Sequence, residues 1–525
     1  MKKRIALLTP KFNIQRGWIM VCKVNCAAIM GVDVLPVIVE TDICNGLPSF
    51  DMVGLLSYDI KESRERVRTA IKNSGFLVPP KRITINFSPG NIRKAGTYFD
   101  LPVAVSILWC LDIIKCRLDD KMFVGELSLS GRVVAVNGVL PIVLHAMERG
   151  MKYCFVPAMN VGECRCIKGI KVIGVEDLNE LVMLLVSGGY KNYEIKEETE
   201  EENISIVYEH DFKWIKGQVM AKRAAEIAAA GMHNILLVGP PGTGKTAIAK
   251  AMKTILPEMS QNEKIEISKI QSIAGKLGGS LVRERPFRNP HHTTTVTAMT
   301  GGGINPKPGE MTMAHGGVLY MDEFTEFSRG VMEAMRQPLE DKKIVISRKG
   351  GTYSFPADFI LFASMNPCKC GYYPDRNKCS CTERDVNKYL EKISGPILDR
   401  IDLCVHMNNV DFFDLTRESS EESSEEIRKR VNKAVEIQRK RYENEKIRFN
   451  SQLEGENIKK YCNLGKKEQE LIGQIYENMD LSVRAYEKIL KTARTIADLK
   501  NHEEIKYEDI AEAVSYKAMS VRRGL

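Results

Sequence analysis

Alternating apolar and polar positions in the first 190 residues predict a unit that mixes strands and helices. The stretches PVIVETDI and RITINF alternate with the period of two that is typical of half-buried strands. The stretch KESRERVRTAIKNSG has apolar residues at helical spacing, and Gly75 at its end predicts where that helix stops. The stretch VGELSLSGRVVAV predicts a hairpin that turns at Ser130 and Gly131.

Short, continuous apolar runs in the central part of the chain predict buried strands. The runs are ILLV (235–238), VLYM (318–321) and FILFASM (359–365). Further along, Ile427, Val431, Ala434 and Val435 recur at helical spacing, so the C-terminal part is predicted to be all-helical. We interpret the many Lys and Arg residues on its other faces as a solvated surface.

Two polar stretches divide the chain. The acidic KNYEIKEETEEEN (191–203) has no apolar period, and RESSEESSEE (417–426) is polar and low in complexity, so both are interpreted as breaks between domains. The predicted division is a tail at 1–19, a domain at 20–190, a linker at 191–207, a core at 208–415 and a C-terminal domain at 416–525.

Bulk composition narrows the function only slightly. Of the 525 residues, 44% are hydrophobic and 27% are charged, and the net charge is +9. This mild positive charge permits a nucleic-acid partner without requiring one. The start shows no secretory signal, and the longest apolar stretch, residues 101–114, is shorter than a membrane span and contains Asp112. We therefore expect a cytoplasmic protein without a membrane partner.

A phosphate-binding loop is the strongest chemical signal. In NILLVGPPGTGKTAIAKAM (234–252) an apolar strand runs into G-x-x-x-x-G-K-T, and a helix follows. Glycines let backbone N–H groups turn toward phosphate oxygens, and the helix N-terminus adds a positive dipole. Lys245 is predicted to contact the β- and γ-phosphates, and the Thr246 hydroxyl to bind Mg²⁺. The residues predicted to bind ATP are Gly239, Pro240, Pro241, Gly242, Thr243, Gly244, Lys245 and Thr246.

Polar residues after the next two apolar runs complete the predicted site. Asp322 follows VLYM directly and is predicted to bind Mg²⁺, and Glu323 is the candidate base for the attacking water. Asn366 follows the third run and is predicted to hold the γ-phosphate or the water, although a buried Asn can also cap a turn. The sequence therefore predicts an ATP hydrolase that uses Mg²⁺.

Four of the 14 cysteines lie close together in NPCKCGYYPDRNKCSC (366–381). Because a cytoplasmic protein keeps its thiols reduced, such a cluster suggests a metal before a disulfide. The C-x-C spacing is tighter than the usual C-x₂-C, so two interpretations stay open: structural Zn²⁺, or free thiols that pack a loop. The candidate ligands are Cys368, Cys370, Cys379 and Cys381. Cys164 and Cys166 form only a pair and are interpreted as ordinary thiols.

Many motifs, in order along the chain, resemble those of one family. From about Met20 onward the chain resembles the YifB/ComM group of magnesium-chelatase-like AAA+ ATPases. The matching stretches include GLPSFDMVGL, DLPVAV, AAEIAAAGMHNILLVGPPGTGKT, RPFRNPHHT, NPCKCGYYPD, ISGPILDRIDL and LSVRAYEKILKTARTIADL. The residues before Met20 fall outside the pattern, so Met20 is an alternative start.

The resemblance implies a fold and further site residues. The expected fold is α/β: a P-loop AAA+ core whose parallel sheet is covered by helices, an N-terminal Lon-protease-like α+β domain and a C-terminal helical lid. Arg400 matches the arginine finger that contacts the γ-phosphate of a neighbouring subunit, and Arg484 matches the sensor-2 arginine, with Arg494 the alternative. Ser482 is predicted to be the N-cap that places Arg484 in a first helical turn.

The N-terminal domain resembles the proteolytic domain of Lon, which uses a Ser–Lys dyad. In RKAGTYFDLP about Tyr98 stands where Lon has its serine, and in VNGVLP Leu140 stands where Lon has its lysine. Without a nucleophile or a base the dyad cannot operate. We therefore expect a binding or assembly module with a protein partner.

The residues predict an ATP-hydrolysing motor, and the resemblance implies a homo-hexameric ring that acts on DNA, as a helicase in branch migration during recombination or transformation. In the family's pore insert, Arg283, Arg285 and Arg288 lie beside His291 and His292 and suit contact with a phosphate backbone better than a metal site. Two alternatives stay open: the motor subunit of a magnesium chelatase, and a nucleotide-switched protein-binding or unfoldase adaptor.

Overall fold

The computed structural model describes residues 21–193, 208–348, 351–410 and 421–521. These residues form two compact units, one built mainly from 21–193 and the other mainly from the residues after 208. The predicted tail at 1–19, most of the linker at 191–207 and the predicted boundary between 415 and 416 lie outside the described residues. None of the helices in the described ranges is long and apolar enough to cross a membrane.

The N-terminal unit is built on a mixed sheet. Its strands are β1 (Cys22–Met30), β2 (Asp33–Cys44), β3 (Ser49–Val53), β4 (Arg82–Ser88), β5 (Lys121–Phe123), β6 (Glu126–Leu127), β7 (Val133–Val134), β8 (Tyr153–Pro157) and β9 (Lys171–Val175). Its α-helices are α1 (Tyr58–Asn73), α2 (Asp100–Cys110), α3 (Val139–Glu148), α4 (Val161–Cys164) and α5 (Leu178–Ser187). The sheet has the strand order β3-β4-β2-β1-β5-β8-β9.

Both periodicities predicted for the N-terminal unit are confirmed. In β4 the alternate residues Ile83, Ile85 and Phe87 are buried, because successive strand side chains point to opposite faces. Helix α1 ends at a turn in which Gly75 has a φ of 85°, a conformation that favours glycine. Strands β6 and β7 form the predicted hairpin, with Gly131 in its turn.

The second unit is built on a parallel sheet. Its strands are β10 (Ile235–Val238), β11 (Phe287–Arg288), β12 (Gly301–Gly302), β13 (Lys307–Pro308), β14 (Val318–Met321), β15 (Lys343–Arg348), β16 (Gly351–Pro356), β17 (Ile360–Met365) and β18 (Leu403–His406). Its first α-helices are α6 (Val219–Gly231), α7 (Lys245–Ile255), α8 (Gln261–Ile273), α9 (Val296–Thr300), α10 (Glu310–Met313), α11 (Arg329–Asp341), α12 (Glu383–Leu390) and α13 (Gly395–Leu398). The C-terminal α-helices are α14 (Ser424–Arg441), α15 (Glu456–Tyr461), α16 (Lys466–Asn478), α17 (Val483–Leu499) and α18 (Tyr507–Val521).

The parallel sheet has the strand order β11-β14-β17-β10-β18, so the three runs predicted as buried strands are its central strands. Every residue of β10, β14 and β17 is buried, as expected of strands that are covered on both faces. Val238 pairs with Met365 and Met321 pairs with Ala363. The carboxyl ends of these strands therefore meet at one edge of the sheet, and the predicted α/β class is confirmed.

The C-terminal helices share a hydrophobic core with this sheet. Ile427, Val431, Ala434 and Val435 of α14 are buried in that core, which confirms the helical stripe. The interpretation of 417–426 as a break was wrong for its last residues, because S-x-x-E at 423–426 forms a capping box that starts α14.

Candidate nucleotide-binding site

The phosphate loop connects β10 to α7 in a conformation that needs glycine. Gly242 and Gly244 have φ values of 81° and 90°, where a side chain would strain the backbone. Gly244 is the N-cap of α7, and Lys245 is its first residue. The backbone N–H groups of the first turn have no intrahelical acceptor, so this end of α7 suits an anion such as phosphate.

The Lys245 ammonium lies among acceptors of the same loop. Its Nζ atom donates to the carbonyl oxygens of Gly239 at 2.6 Å and Pro240 at 2.8 Å, and to Asn366 Oδ1 at 3.2 Å. Burial lowers the pKa of this ammonium, and the charge of Asp322 opposes that effect. Phosphate oxygens are stronger acceptors for an ammonium than neutral carbonyls, so the arrangement favours exchange of these contacts for contacts with a nucleotide.

Thr246 and Asp322 come together as predicted for a magnesium site. Thr246 Oγ1 donates to Asp322 Oδ2 at 3.2 Å. Two oxygens that bind Mg²⁺ at about 2.1 Å in adjacent octahedral positions lie about 3 Å apart, so this pair fits the ion. Ser364 Oγ donates a hydrogen bond of 2.5 Å to the other carboxylate oxygen, Asp322 Oδ1, and so restrains the carboxylate. The buried Tyr320 hydroxyl lies 3.1 Å from Ser364 Oγ and donates to Thr246 Oγ1 at 3.3 Å.

Glu323 follows Asp322 with an unusual backbone. Its φ and ψ are both 50°, a left-handed conformation that costs a residue other than glycine about 1–3 kcal/mol. The Glu323 side chain is 59% exposed. The His292 ring lies beside it, with Nδ1 3.6 Å from Glu323 Oε2. An exposed carboxylate next to the Mg²⁺ candidates can accept a proton from water.

Arg400 and Arg484 meet at one carboxylate in α11. Arg400 donates to Glu340 and to the carbonyl of Pro396, and Arg484 Nη2 lies 3.1 Å from Glu340 Oε1. The predicted N-cap is confirmed, since Ser482 Oγ accepts from the backbone N–H of Ala485 at 3.2 Å. That Arg400 acts on a neighbouring subunit and Arg484 on the nucleotide both stay predictions.

The alternative sensor-2 candidate, Arg494, is buried and bound to neighbouring groups of its own helical region. Arg494 is 3% exposed, and its guanidinium donates to Asp498 at 2.9 Å and to the carbonyl oxygens of Glu503 and His502. These contacts lie inside the C-terminal helical region. Arg484, at 63% side-chain exposure, is therefore the better candidate for contact with a nucleotide.

The insert around 283–299 corrects one prediction. Arg285 is 4% exposed, and its guanidinium is held by Glu263 and by the carbonyl oxygens of Pro257 and Gly316. The prediction that Arg285 contacts a nucleic-acid backbone was therefore wrong, because a buried and fully engaged guanidinium cannot meet phosphate. Arg288 is bound through two hydrogen bonds, at 2.6 and 2.8 Å, to the carboxylate of Glu310.

The two positions of the absent dyad lie in the interior of the N-terminal unit. Tyr98 is 7% exposed, and its hydroxyl accepts from the backbone N–H of Ile29 at 3.2 Å. Burial raises the pKa of this phenol, so it offers no nucleophile at neutral pH. Leu140 is fully buried in α3. That the unit binds or assembles with a protein partner stays a prediction.

Ser364 and Glu340 were missed from the sequence, and His292 was assigned to the insert without its contact with Glu323. Ser364 lies inside the apolar run FILFASM, and a polar residue in a strand buried on both faces needs a partner, which was a usable signal. Glu340 gave no such signal, because its role depends on contact with Arg400, which lies 60 positions further along the chain.

Comparison with family models covers most of the chain. The model described as magnesium chelatase, subunit ChlI, matches residues 211–415. The model described as subunit ChlI of Mg-chelatase matches 39–160, and the model described as its C-terminal part matches 421–517. The matched ranges include every residue predicted to bind the nucleotide or Mg²⁺.

Individual proteins show the same similarity over nearly the whole length. The competence protein ComM of Haemophilus influenzae is 38% identical over 94% of this chain and 96% of its own. The YifB protein of Escherichia coli is 37% identical over 94% of this chain and 97% of its own. Lon protease 2 of Bacillus subtilis is 33% identical over 147 residues, which are 26% of each chain.

Proposed function

Because this chain belongs to the YifB/ComM family of magnesium-chelatase-like AAA+ proteins, we propose that it is an ATP-driven ring motor that acts on DNA. The observation that carries the ATPase part is the convergence of Lys245, Thr246, Asp322 and Asn366 at one edge of a parallel sheet. The DNA part rests on the family resemblance and on the name of the Haemophilus relative, a competence protein.

The side chains divide the work of hydrolysis. Lys245 and the first turn of α7 bind phosphate oxygens. Asn366 positions the Lys245 ammonium by accepting a hydrogen bond from it. Thr246 and Asp322 would hold Mg²⁺, which when bound would supply positive charge to offset the charge on the phosphate oxygens. The Glu323 carboxylate takes a proton from the attacking water. Ser364 keeps Asp322 from rotating.

Ring formation follows from the proposed role of Arg400 in the site of a neighbouring subunit. Chains with Arg400→Ala and chains with Lys245→Ala are each expected to be inactive. Mixing them should restore part of the hydrolysis, because one interface of the mixed ring then has both an intact loop and an intact arginine. If Arg400 acts only within its own chain, through Glu340, mixing restores nothing.

DNA remodelling is tested with labelled forked and four-way DNA. ATP should drive strand separation or branch migration by the wild-type chain and not by Glu323→Gln, which lacks the proposed base. Binding should weaken steeply as salt rises, since contacts with a phosphate backbone release counterions. Absence of both binding at low salt and ATP-dependent remodelling would contradict the DNA part and leave the ATPase part standing.

A second candidate function is the motor subunit of a magnesium chelatase. The observation that favours it is the description of the matching family models, which name that enzyme's subunit ChlI. Such a motor would hydrolyse ATP without response to DNA and would promote Mg²⁺ insertion into a tetrapyrrole when its partner subunits are supplied. The DNA assays therefore separate the two candidates.

A further inference from the structure

The segment between β17 and α12 contains the four clustered cysteines and has little regular structure of its own to stabilise it. Residues 367–382 form neither helix nor strand. Loops of this length without regular structure are uncommon in compact domains and are usually functional or disordered. The hydrophobic cluster that the segment builds has three buried residues, Cys368, Cys379 and Val386, with Cys370, Tyr373, Cys381 and Leu390 partly buried against it. So small a cluster gives the loop little hydrophobic stabilisation.

The sulfur atoms form one compact group. Cys368 Sγ lies 3.3 Å from Cys370 Sγ and 3.8 Å from Cys379 Sγ, and the latter two are 3.5 Å apart. The ligand atoms of all four residues, Cys381 included, lie within 4.8 Å of one another. Four thiolates around one Zn²⁺, each about 2.3 Å from it in a tetrahedron, lie about 3.8 Å apart. The separations among Cys368, Cys370 and Cys379 lie at or below this value, and Cys381 lies within 4.8 Å of each, so the four sulfur atoms are grouped as a tetrahedral thiolate site requires.

We propose that these four cysteines bind one structural Zn²⁺. The assignment is structural because four thiolates leave no position open for water or substrate. The backbone N–H of Tyr373 donates to Cys368 Sγ at 3.4 Å, the kind of second contact that orients a ligand sulfur. The short C-x-C spacings do not prevent the site, since the two pairs approach each other across the loop.

The zinc site fastens the loop against the nucleotide-binding residues. Asn366, which contacts Lys245, lies two positions before the first ligand. Gly371, with a φ of 89°, lies so close to the phosphate loop that an added Cβ would be 2.8 Å from Pro241 Cδ. On the far side, the hydroxyl of Tyr389 in α12 accepts from Thr325 Oγ1 at 2.6 Å, just after Glu323. This placement rests on the proposed nucleotide site, whereas zinc binding itself does not.

Metal content is the first test. The full chain, expressed without a histidine tag, should contain about one zinc per chain after extensive dialysis. Cys370→Ser and Cys381→Ser should each lower this content by at least half. The matched control is Cys166→Ser, which alters a C-x-C pair that belongs to no candidate metal-binding group among the described residues. Its zinc content should equal that of the wild-type chain.

Proteolysis and metal replacement cover the case in which a serine variant fails to fold. Trypsin should spare Lys369, Arg376 and Lys378 in the zinc-loaded wild-type chain and cut after them once a chelator removes the metal. Co²⁺ added to the stripped chain should give the intense absorption of a tetrahedral thiolate site.

Three results would overturn the proposal. One is zinc near zero in the folded wild-type chain with all four thiols freely alkylated. Another is recovery of the cysteines as disulfide-linked peptides. The third is the lack of tetrahedral Co²⁺ absorption. Loss of zinc with unchanged ATP hydrolysis would keep the metal site and reject its link to the nucleotide.

Discussion

The two sheets of this protein differ in whether the residues at their candidate sites are polar and in contact with one another. In the second unit, β10, β14 and β17 end at one edge, and the residues that follow them are in hydrogen-bond contact with one another. In the N-terminal unit, the positions that would hold a Ser–Lys dyad are Tyr98 and Leu140, both buried. A fold similar to that of an enzyme therefore does not imply the enzyme's activity unless the catalytic side chains are also present.

Charged groups show the same contrast. In the N-terminal unit Asp100 is fully buried and is held by Ser63, Arg66 and the backbone N–H of Leu127. Burial raises the pKa of this carboxyl, and its hydrogen bonds oppose the rise. We interpret its role as structural, because it is buried and both of its oxygens accept hydrogen bonds. The Glu323 side chain in the second unit, in contrast, is more than half exposed to solvent.

The largest effect is expected for Glu323→Gln. Turnover should fall by about 10²–10⁴-fold, because the proposed base is lost. ATP binding should persist, since Lys245, Thr246 and Asp322 are unchanged. Phosphate release measures the first quantity and titration calorimetry the second. Normal turnover in this variant would remove Glu323 from its role.

Lys245→Ala should weaken ATP binding by about 10–100-fold, the worth of a lost hydrogen bond to a charged group. The matched control is Lys250→Ala, which removes an exposed ammonium from the same helix. The control should bind ATP like the wild-type chain. Equal affinity in the two variants would mean that the Lys245 ammonium does not contact the nucleotide.

Sequence reasoning predicted those residues because each follows an apolar strand. Parallel strands read as continuous apolar runs, and their carboxyl ends must meet, so Lys245, Asp322 and Asn366 could be placed together. Arg285 was misjudged because charge near a predicted loop says nothing about burial. Its partner, Glu263, lies 22 positions away in α8, and only the packing of α8 shows that the pair is interior.

Ser364→Ala should have a smaller effect, about tenfold on apparent Mg²⁺ affinity, typical of a residue that orients a metal ligand. Without the Ser364 hydroxyl, the Asp322 carboxylate loses its 2.5 Å hydrogen bond and can rotate. Hydrolysis measured across a magnesium series should return to the wild-type rate at high concentration. If the rate of hydrolysis stays low at high magnesium concentration, Ser364 does not act by orienting the magnesium ligand Asp322.

The smallest effect is expected in the N-terminal unit. The full chain with ATP should not cleave an unfolded protein substrate, because Tyr98 and Leu140 supply neither nucleophile nor base. Fluorogenic peptide and casein assays, run on protein from a host without its own ATP-dependent proteases, provide the measurement. Cleavage that depends on ATP and is lost in Glu323→Gln would contradict the conclusion that the N-terminal unit has no catalytic side chains.

One measurement tests the proposed motor most directly: the rate of ATP hydrolysis by the full chain without DNA, with single-stranded DNA and with forked DNA. The proposal predicts Mg²⁺-dependent hydrolysis that DNA stimulates, and a rate for Glu323→Gln that is lower by about 10²–10⁴-fold under every condition. Hydrolysis that ignores DNA would contradict the DNA motor and favour the chelatase candidate. No hydrolysis by the wild-type chain at all would contradict the nucleotide site itself.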